Sequence, residues 1–127
     1  MIHRIEVKNI MSQKGKIRID TMFREEKGHF KFPSAGSVFK NPENDSAGRL
    51  LDKAGVKSFD LPRAKVWENH ANFIVNKGGA TSEDILTLMV MMYNAVKNQY
   101  TIELKPEIIF IGDKTKKEEE LWNILYR

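Results

Sequence analysis

The stretch FIVNKGGATSEDILTLMVMMYNAVKNQY, residues 73–100, decides the fold class, because it joins a short apolar run to the longest amphipathic segment of the chain. The aromatic and β-branched residues 73–75 predict a strand, and Lys77-Gly78-Gly79 ends it. Thr81 has the spacing of a capping box with Asp84, so a helix is predicted to begin there. Apolar side chains then recur at helical spacing, a stripe typical of a core helix even where it contains methionines: Ile85, Leu88, Met89, Met92, Val96 and Tyr100.

Short strands and helices are also predicted on both sides of this unit. Residues 66–67 predict a strand that, with the strand at 73–75, lies on either side of Asn69-His70. The dense β-branched run 108–111 predicts a buried strand that ends at Gly112. Residues 47–54 predict a short helix, stopped by Gly55. Between them, residues 56–65 mix charges with Pro62 and predict a loop.

The two ends of the chain are predicted in the same way. In the first part, Val7 with its apolar neighbours and the alternating residues 17–19 predict two short strands on either side of a turn at residues 13–15. Residues 29–32 are expected to be extended, because the following proline disfavours helix. Residues 116–127 predict a last helix, which either docks on this domain or packs on another. The pattern favours an α+β fold, with a small sheet packed against helices in a single domain.

Composition narrows the class of protein. A chain of 127 residues suits one domain, and the absence of cysteine excludes disulfides and thiolate sites. No apolar run is long enough to span a bilayer, so a cytoplasmic protein without membrane contact is expected. The net charge is +4, but basic residues alternate with acids and lack interleaved aromatics, which disfavours a nucleic-acid partner. The three histidines lack metal-ligand spacing, so no metal is expected.

The stretch PSAGSVFKNP, residues 33–42, carries the side chains best suited to a site. Gly36 permits a tight turn that presents Ser37, while Lys40 and Asn41 add an ammonium and an amide. A serine in a turn more often bonds to local backbone groups than does chemistry, so Ser37 alone is weak evidence. Together the four residues predict a binding or catalytic turn, which we call the serine turn (residues 36–41).

The amino end of the predicted helix 47–54 follows this turn closely and has two interpretations. Its free N–H groups could face the same anion that Lys40 attracts. Alternatively, Asp45 or Ser46 caps the helix and satisfies those N–H groups.

Three motifs in order resemble the UDP-N-acetylenolpyruvoylglucosamine reductases, flavoenzymes of bacterial peptidoglycan synthesis. They are PSAGSVFKNP at 33–42, HANFIVNKGGATSEDI at 70–85 and LKPEIIFIG at 104–112. Family enzymes are much longer, and the resemblance implies that residues 24–127 form the carboxy-terminal substrate-binding domain, with 1–23 as a run-in from a missing FAD domain. FAD and NADPH are implied as cofactors of the whole enzyme, with no FAD or NADPH site on this chain, since it has no glycine-rich dinucleotide fingerprint.

The resemblance also implies catalytic roles for two residues. The family enzymes reduce UDP-N-acetylglucosamine enolpyruvate to UDP-N-acetylmuramate, and Ser37 matches the serine that gives the proton. Glu107 matches a glutamate that works at the substrate carboxylate, beside an arginine of the flavin domain. Glu103 is the alternative to Glu107 if the register differs.

Four further residues match substrate-binding positions of the family. Lys40 and Asn41 correspond to positions near the diphosphate or sugar of the substrate. His70 and Asn72 lie in the second motif, where a structural role is as common as a ligand contact. A non-enzymatic alternative is a standalone domain that binds a UDP-sugar or regulates, without redox chemistry. By itself the chain is not expected to catalyse.

Overall fold

The structure is a computed structural model and describes residues 6–7, 21–22, 29–31, 36–111 and 113–126. Three helices, six strands and one 3₁₀ turn make up this part of the chain. In chain order they are β1 (Glu6–Val7), β2 (Thr21–Met22), β3 (His29–Lys31), α1 (Ala47–Lys53), the 3₁₀ turn (Val56–Ser58), β4 (Ala64–Trp67), β5 (His70–Asn76), α2 (Ser82–Tyr100), β6 (Ile109–Ile111) and α3 (Lys116–Leu125). The predicted α+β class is confirmed.

The strands form three antiparallel pairs: β1 with β2, β3 with β6, and β4 with β5. The expected small sheet is therefore divided into two-stranded pieces in the described part of the chain. In β3 and β6, Phe30 pairs with Phe110. In β4 and β5, Val66 pairs with Ile74, and a bulge follows before Trp67. The serine turn lies between the last two pairs and links them.

The core is built on α2, which packs against α1, β4 and α3. Thr81 Oγ1 accepts from the Asp84 N–H at 3.1 Å, and Asp84 Oδ2 accepts from the Thr81 N–H at 2.9 Å, so the predicted capping box is confirmed. Met89 and Met92 are fully buried. The methionine stripe is thus a core stripe, as predicted.

The segment between α1 and β5 is more regular than predicted. The predicted helix 47–54 is confirmed, with α1 ending before Gly55 at φ +84°. The loop predicted for 56–65 instead contains the 3₁₀ turn and the first two residues of β4, which begins at Ala64. Alternate β4 residues are buried against the core, and this packing overrides the loop-like composition.

The predicted burial of the whole run 108–111 is wrong, because Ile109 in this run is exposed. Ile108 and Phe110 are buried, whereas Ile109 is 45% exposed. Antiparallel pairing with β3 leaves one face of β6 uncovered, and side chains alternate between its two faces.

The predicted last helix is confirmed as α3, which docks on α2. Thr115 and Glu118 form its capping box, and Leu121 and Leu125 are buried. Predictions for residues 13–15, 17–19 and 32–35 lie outside the described residues. Within the described ranges, no helix is long and apolar enough to cross a membrane, and no group of three His, Cys, Asp or Glu side chains could hold a metal ion.

Candidate functional site

The serine turn begins with a backbone conformation that requires glycine. Gly36 has φ +100°, which L side chains rarely adopt, so the predicted tight turn is confirmed. Ser37 follows it and is partly exposed, while the next two residues, Val38 and Phe39, are each only 1% exposed. Two consecutive buried apolar side chains anchor the turn in the core and leave Ser37 at its accessible edge.

One side of the turn is bonded to the strand-like segment that carries Glu107. The Glu107 N–H donates to the Val38 carbonyl at 2.7 Å, and the Lys40 N–H donates to the Lys105 carbonyl at 2.8 Å. Phe39 lies opposite Pro106 in an antiparallel bridge between these two bonds. The backbones of the first and third motifs are therefore in direct contact.

The other side of the turn is bonded to Asn72 in β5. The Val38 N–H donates to the Asn72 carbonyl at 3.0 Å. The Asn72 side chain accepts from the Phe39 N–H through Oδ1 and donates to the Phe39 carbonyl through Nδ2, both at 2.9 Å. Asn72 is 4% exposed. Its carboxamide makes the two hydrogen bonds to Phe39 that the backbone of a neighbouring strand would otherwise make. Of the predicted substrate-binding residues, Asn72 is the one that holds the turn.

Glu107 is partly exposed beside the turn. Its carboxylate has no hydrogen bond or ion pair with any residue in the described ranges. Glu103, the alternative candidate, accepts from the Tyr93 hydroxyl at 3.1 Å and lies 3.6 Å from the Lys97 ammonium. These contacts lower the pKa of Glu103, the tyrosine hydrogen bond first and the Lys97 charge second. Glu107 is the carboxylate left available for a ligand.

Asn41 and Lys40 lie at the exit of the turn, and both are exposed. Asn41 Oδ1 accepts from the Ala47 N–H at 2.9 Å, and Ser46 Oγ accepts from the Arg49 N–H at 3.2 Å. The capping interpretation of α1 is therefore confirmed, with Ser46 as the N-cap and Asn41 as an unpredicted second acceptor. Within the described ranges, the amide N–H₂ group of Asn41 has no hydrogen-bond partner.

His70 points toward α1 and makes no direct hydrogen bond to the serine turn, but it is bonded to Asn72, which holds that turn. Its ring stacks on Phe73 with centroids 4.4 Å apart, and Nδ1 accepts from the Asn72 N–H at 3.2 Å. A Cβ at Gly48 would come within 3.0 Å of His70 Cε1. His70, Arg49 and Lys57 line an open polar cavity of about 260 Å³. His70 begins β5, whereas the sequence predicted it between strands.

These observations define the protein as a small α+β domain in which a serine turn is fixed between the side-chain amide of Asn72 in β5 and the backbone of the segment that carries Glu107. The sequence model of the family UDP-N-acetylenolpyruvoylglucosamine reductase, C-terminal domain, matches residues 28–111. The chain belongs to this family, and the predicted resemblance is confirmed.

Two curated relatives agree with this assignment. The chain is 46% identical over 95 residues to a UDP-N-acetylenolpyruvoylglucosamine reductase of Nitrosospira multiformis, covering 75% of this chain and 27% of the relative. A reductase of the same name from Bacillus licheniformis is 45% identical over 92 residues, covering 72% of this chain and 50% of that one. The crystal structure of the Thermus caldophilus enzyme is 40% identical, covers 58% of this chain and 26% of that chain, and superposes with a TM-score of 0.47. The chain thus spans between about a quarter and a half of the length of these curated relatives.

Proposed function

We propose that this chain is the substrate-binding domain of a UDP-N-acetylenolpyruvoylglucosamine reductase, an oxidoreductase of peptidoglycan synthesis. The proposed substrate is UDP-N-acetylglucosamine enolpyruvate, the product is UDP-N-acetylmuramate, and the proposed location is the cytoplasm. One observation carries the proposal: the serine turn is bonded to Asn72 on one side and to the backbone of Glu107 on the other. Residues from all three family motifs therefore meet at one place.

Reduction of the enolpyruvyl double bond requires a hydride at one carbon and a proton at the other. In the proposal Ser37 gives the proton, and its hydroxyl is a very weak acid that can act only on a strongly basic, enolate-like carbon within hydrogen-bond reach. Positioning thus matters more than the acidity of the hydroxyl. The φ of Gly36 and the burial of Val38 and Phe39 support that role, because they fix the backbone on both sides of Ser37.

Glu107 acts in the proposal at the substrate carboxylate, where negative charge increases as the hydride arrives. A bare carboxylate would repel that group, so Glu107 must be protonated or share a donor with it. Its lack of a partner among the described residues supports a role in which the ligand supplies the partner. Lys40 is exposed and available to attract the diphosphate, and the free N–H₂ of Asn41 can donate to the same group.

Neither the cavity at His70 nor the cavity at Arg63 fits FAD. The cavities at His70 and at Arg63 measure about 260 and 330 Å³, at the small end for organic ligands. They are lined by charged and polar side chains, without an aromatic or aliphatic wall for a flavin ring. The proposal therefore assigns the hydride, from flavin reduced by NADPH, to an amino-terminal FAD domain as partner, and gives this chain substrate binding and the proton.

Ligand binding by the 127-residue protein tests the proposal directly. Isothermal titration with UDP-N-acetylmuramate is expected to show saturable one-site binding, with GDP-mannose as the control nucleotide sugar that does not bind. Equal binding of both ligands, or of neither, would remove the proposed function. Purification of the native protein from its own cells then separates the reductase from a standalone UDP-sugar domain, because the reductase has a mass well above 14.7 kDa and carries flavin.

Ser37→Ala tests the proton transfer in the reductase that contains this domain. We expect product formation to fall by roughly a hundredfold, the usual scale for a lost general acid, while reduction of the flavin by NADPH continues. Ser58→Ala is a matched control, since Ser58 is an exposed serine in the 3₁₀ turn. Normal product formation by Ser37→Ala would show that Ser37 is not the proton donor.

A further inference from the structure

The His70 ring is held in one orientation by two packing contacts. One face stacks on Phe73 with an interplanar angle of 12°. The Cε1 edge faces α1 at Gly48, where a Cβ would come within 3.0 Å of it. In this orientation Nδ1 lies 3.2 Å from the Asn72 nitrogen and accepts its N–H. Because Nδ1 accepts a hydrogen bond it carries no proton, and the proton of the neutral ring is on Nε2.

The Asn72 N–H lies in a part of β5 that β4 does not pair. The register places Val66 opposite Ile74 and then Trp67 opposite His70. The bulge therefore leaves the three residues between His70 and Ile74 without partners in β4. Asn72 is 4% exposed, so water does not readily replace a missing partner for its N–H. The His70 ring supplies the acceptor that β4 does not.

Asn72 connects the imidazole to the residues that follow Ser37. Its carbonyl accepts from the Val38 N–H at 3.0 Å, and its carboxamide makes two hydrogen bonds of 2.9 Å to the backbone of Phe39. Ser37 directly precedes Val38, so a shift of Asn72 moves the backbone that carries the serine hydroxyl. A reacting group tolerates little displacement, since a misplacement of about 1 Å can lower a rate by about a hundredfold.

We propose that His70 is a positioning residue for Ser37, acting on Asn72 through its unprotonated Nδ1 and not through contact with the substrate. This inference rests on the proposed function, in which Ser37 gives the proton. It assigns His70 a role different from the substrate contact that the family resemblance implies. The ring also borders the open polar cavity next to α1, so a substrate contact through Nε2 is the competing role. The two roles use different nitrogens of one ring.

Two substitutions separate the two nitrogens. In His70→Asn the amide oxygen is attached to Cγ, as Nδ1 is, whereas in His70→Gln the amide lies one bond further out, as Nε2 does. Both variants lose the stack on Phe73. In the reductase that contains this domain, we expect His70→Gln to lower kcat about tenfold with KM unchanged within about twofold, the scale of one lost hydrogen bond. We expect His70→Asn to keep kcat within about threefold of the wild type.

Amide hydrogen exchange in the 127-residue protein tests the same contact without reference to catalysis. The Asn72 N–H is expected to exchange about tenfold faster in His70→Gln than in the wild type, and to keep its protection in His70→Asn. The Met89 N–H is the internal control, because Met89 is fully buried in the middle of α2. Its exchange should be the same in all three proteins, which shows that the core is intact.

Each other outcome overturns the inference in a distinguishable way. If the Asn72 N–H exchanges equally fast in both variants, Nδ1 does not hold Asn72, while the proposed function stands. If His70→Gln keeps kcat and His70→Asn raises KM, His70 contacts the substrate through Nε2. An equal loss of kcat in both variants would assign the effect to the stack on Phe73. If exchange behaves as expected but Ser37→Ala forms product normally, the proposed role of Ser37 fails and the inference fails with it.

Discussion

Asn72→Ala should destabilise the protein more than the substitution of an exposed polar residue would. The substitution removes both hydrogen bonds to Phe39, each 2.9 Å long, and leaves the Phe39 N–H and carbonyl without partners. Phe39 is 1% exposed and Asn72 is 4% exposed, so water reaches neither group without a rearrangement. The cost is therefore set by the two backbone groups that are left unpaired.

The magnitude follows from the usual cost of an unpaired buried group. Each costs roughly 1–3 kcal/mol, and partial access of water lowers the total, so we expect a loss of about 2–4 kcal/mol. A domain of this size has about 5–15 kcal/mol of stability, and the variant should remain folded. Urea unfolding measures the difference through the midpoint. Asn98→Ala, at an exposed position on α2, is the matched control and should change stability by less than about 0.5 kcal/mol.

A second variant at the same position tests the direction of the two bonds. In Asn72→Asp one oxygen can still accept from the Phe39 N–H, but the other faces the Phe39 carbonyl. Burial and that carbonyl favour the protonated acid, so the folded-state pKa of the new group lies above its unfolded value of about 3.9. The variant should thus lose stability relative to the wild type as pH rises from about 4 to 7. A loss at Asn72→Ala no larger than in Asn98→Ala, or an aspartate variant that gains stability with rising pH, would refute the reasoning.

Two further predictions concern other contacts. Burial alone would raise the pKa of Asp84, but hydrogen bonds from Arg63 and Thr81 outweigh it and lower that pKa below 3.8. Asp84 therefore stabilises the fold above about pH 4. This stabilisation is lost as the pH falls through the folded-state pKa of Asp84. At pH 7, Asp84→Asn should lower the free energy of unfolding, measured in urea, by about 1 kcal/mol. A difference between wild type and variant that increases on acidification would contradict this sign. Gly48→Ala should displace the His70 ring, because a Cβ would lie 3.0 Å from its Cε1. The same change in a His70→Ala background should instead stabilise α1 by about 0.5–1 kcal/mol. Equal effects on stability in both backgrounds would show that the His70 ring does not restrict the side chain at position 48.

The features that the sequence predicted correctly depend on local chemistry. The capping box of Thr81 and Asp84 involves residues three apart, and the φ of Gly36 is a property of one residue. The helical stripe that follows Thr81 has a period that no strand shares. Such signals do not depend on how the rest of the chain packs.

The features that the sequence missed are long-range. Asn72 and Phe39 are 33 positions apart, and nothing in either motif shows that the amide pairs with a backbone. The exposure of Ile109 depends on which strand pairs with β6 and which face stays uncovered. The packing of Tyr126 on Trp122, and of Trp122 on Phe110, follows from the docking of α3 on α2.

Pro106 and Asn72 lie on opposite sides of Phe39, and both fit the directions in which the Phe39 N–H and carbonyl point. The two flanking bonds, Glu107 to Val38 and Lys40 to Lys105, make Phe39 and Pro106 a non-hydrogen-bonded pair, in which the polar groups of both residues point away from each other. A proline fits there because its missing N–H is not needed toward Phe39. The same geometry turns the Phe39 N–H and carbonyl outward, where the Asn72 carboxamide meets both. The position of Ser37 therefore depends on residues that need not contact substrate. In the proposed reductase, where Ser37 is the proposed proton donor, substitutions at either should lower kcat more than they raise KM.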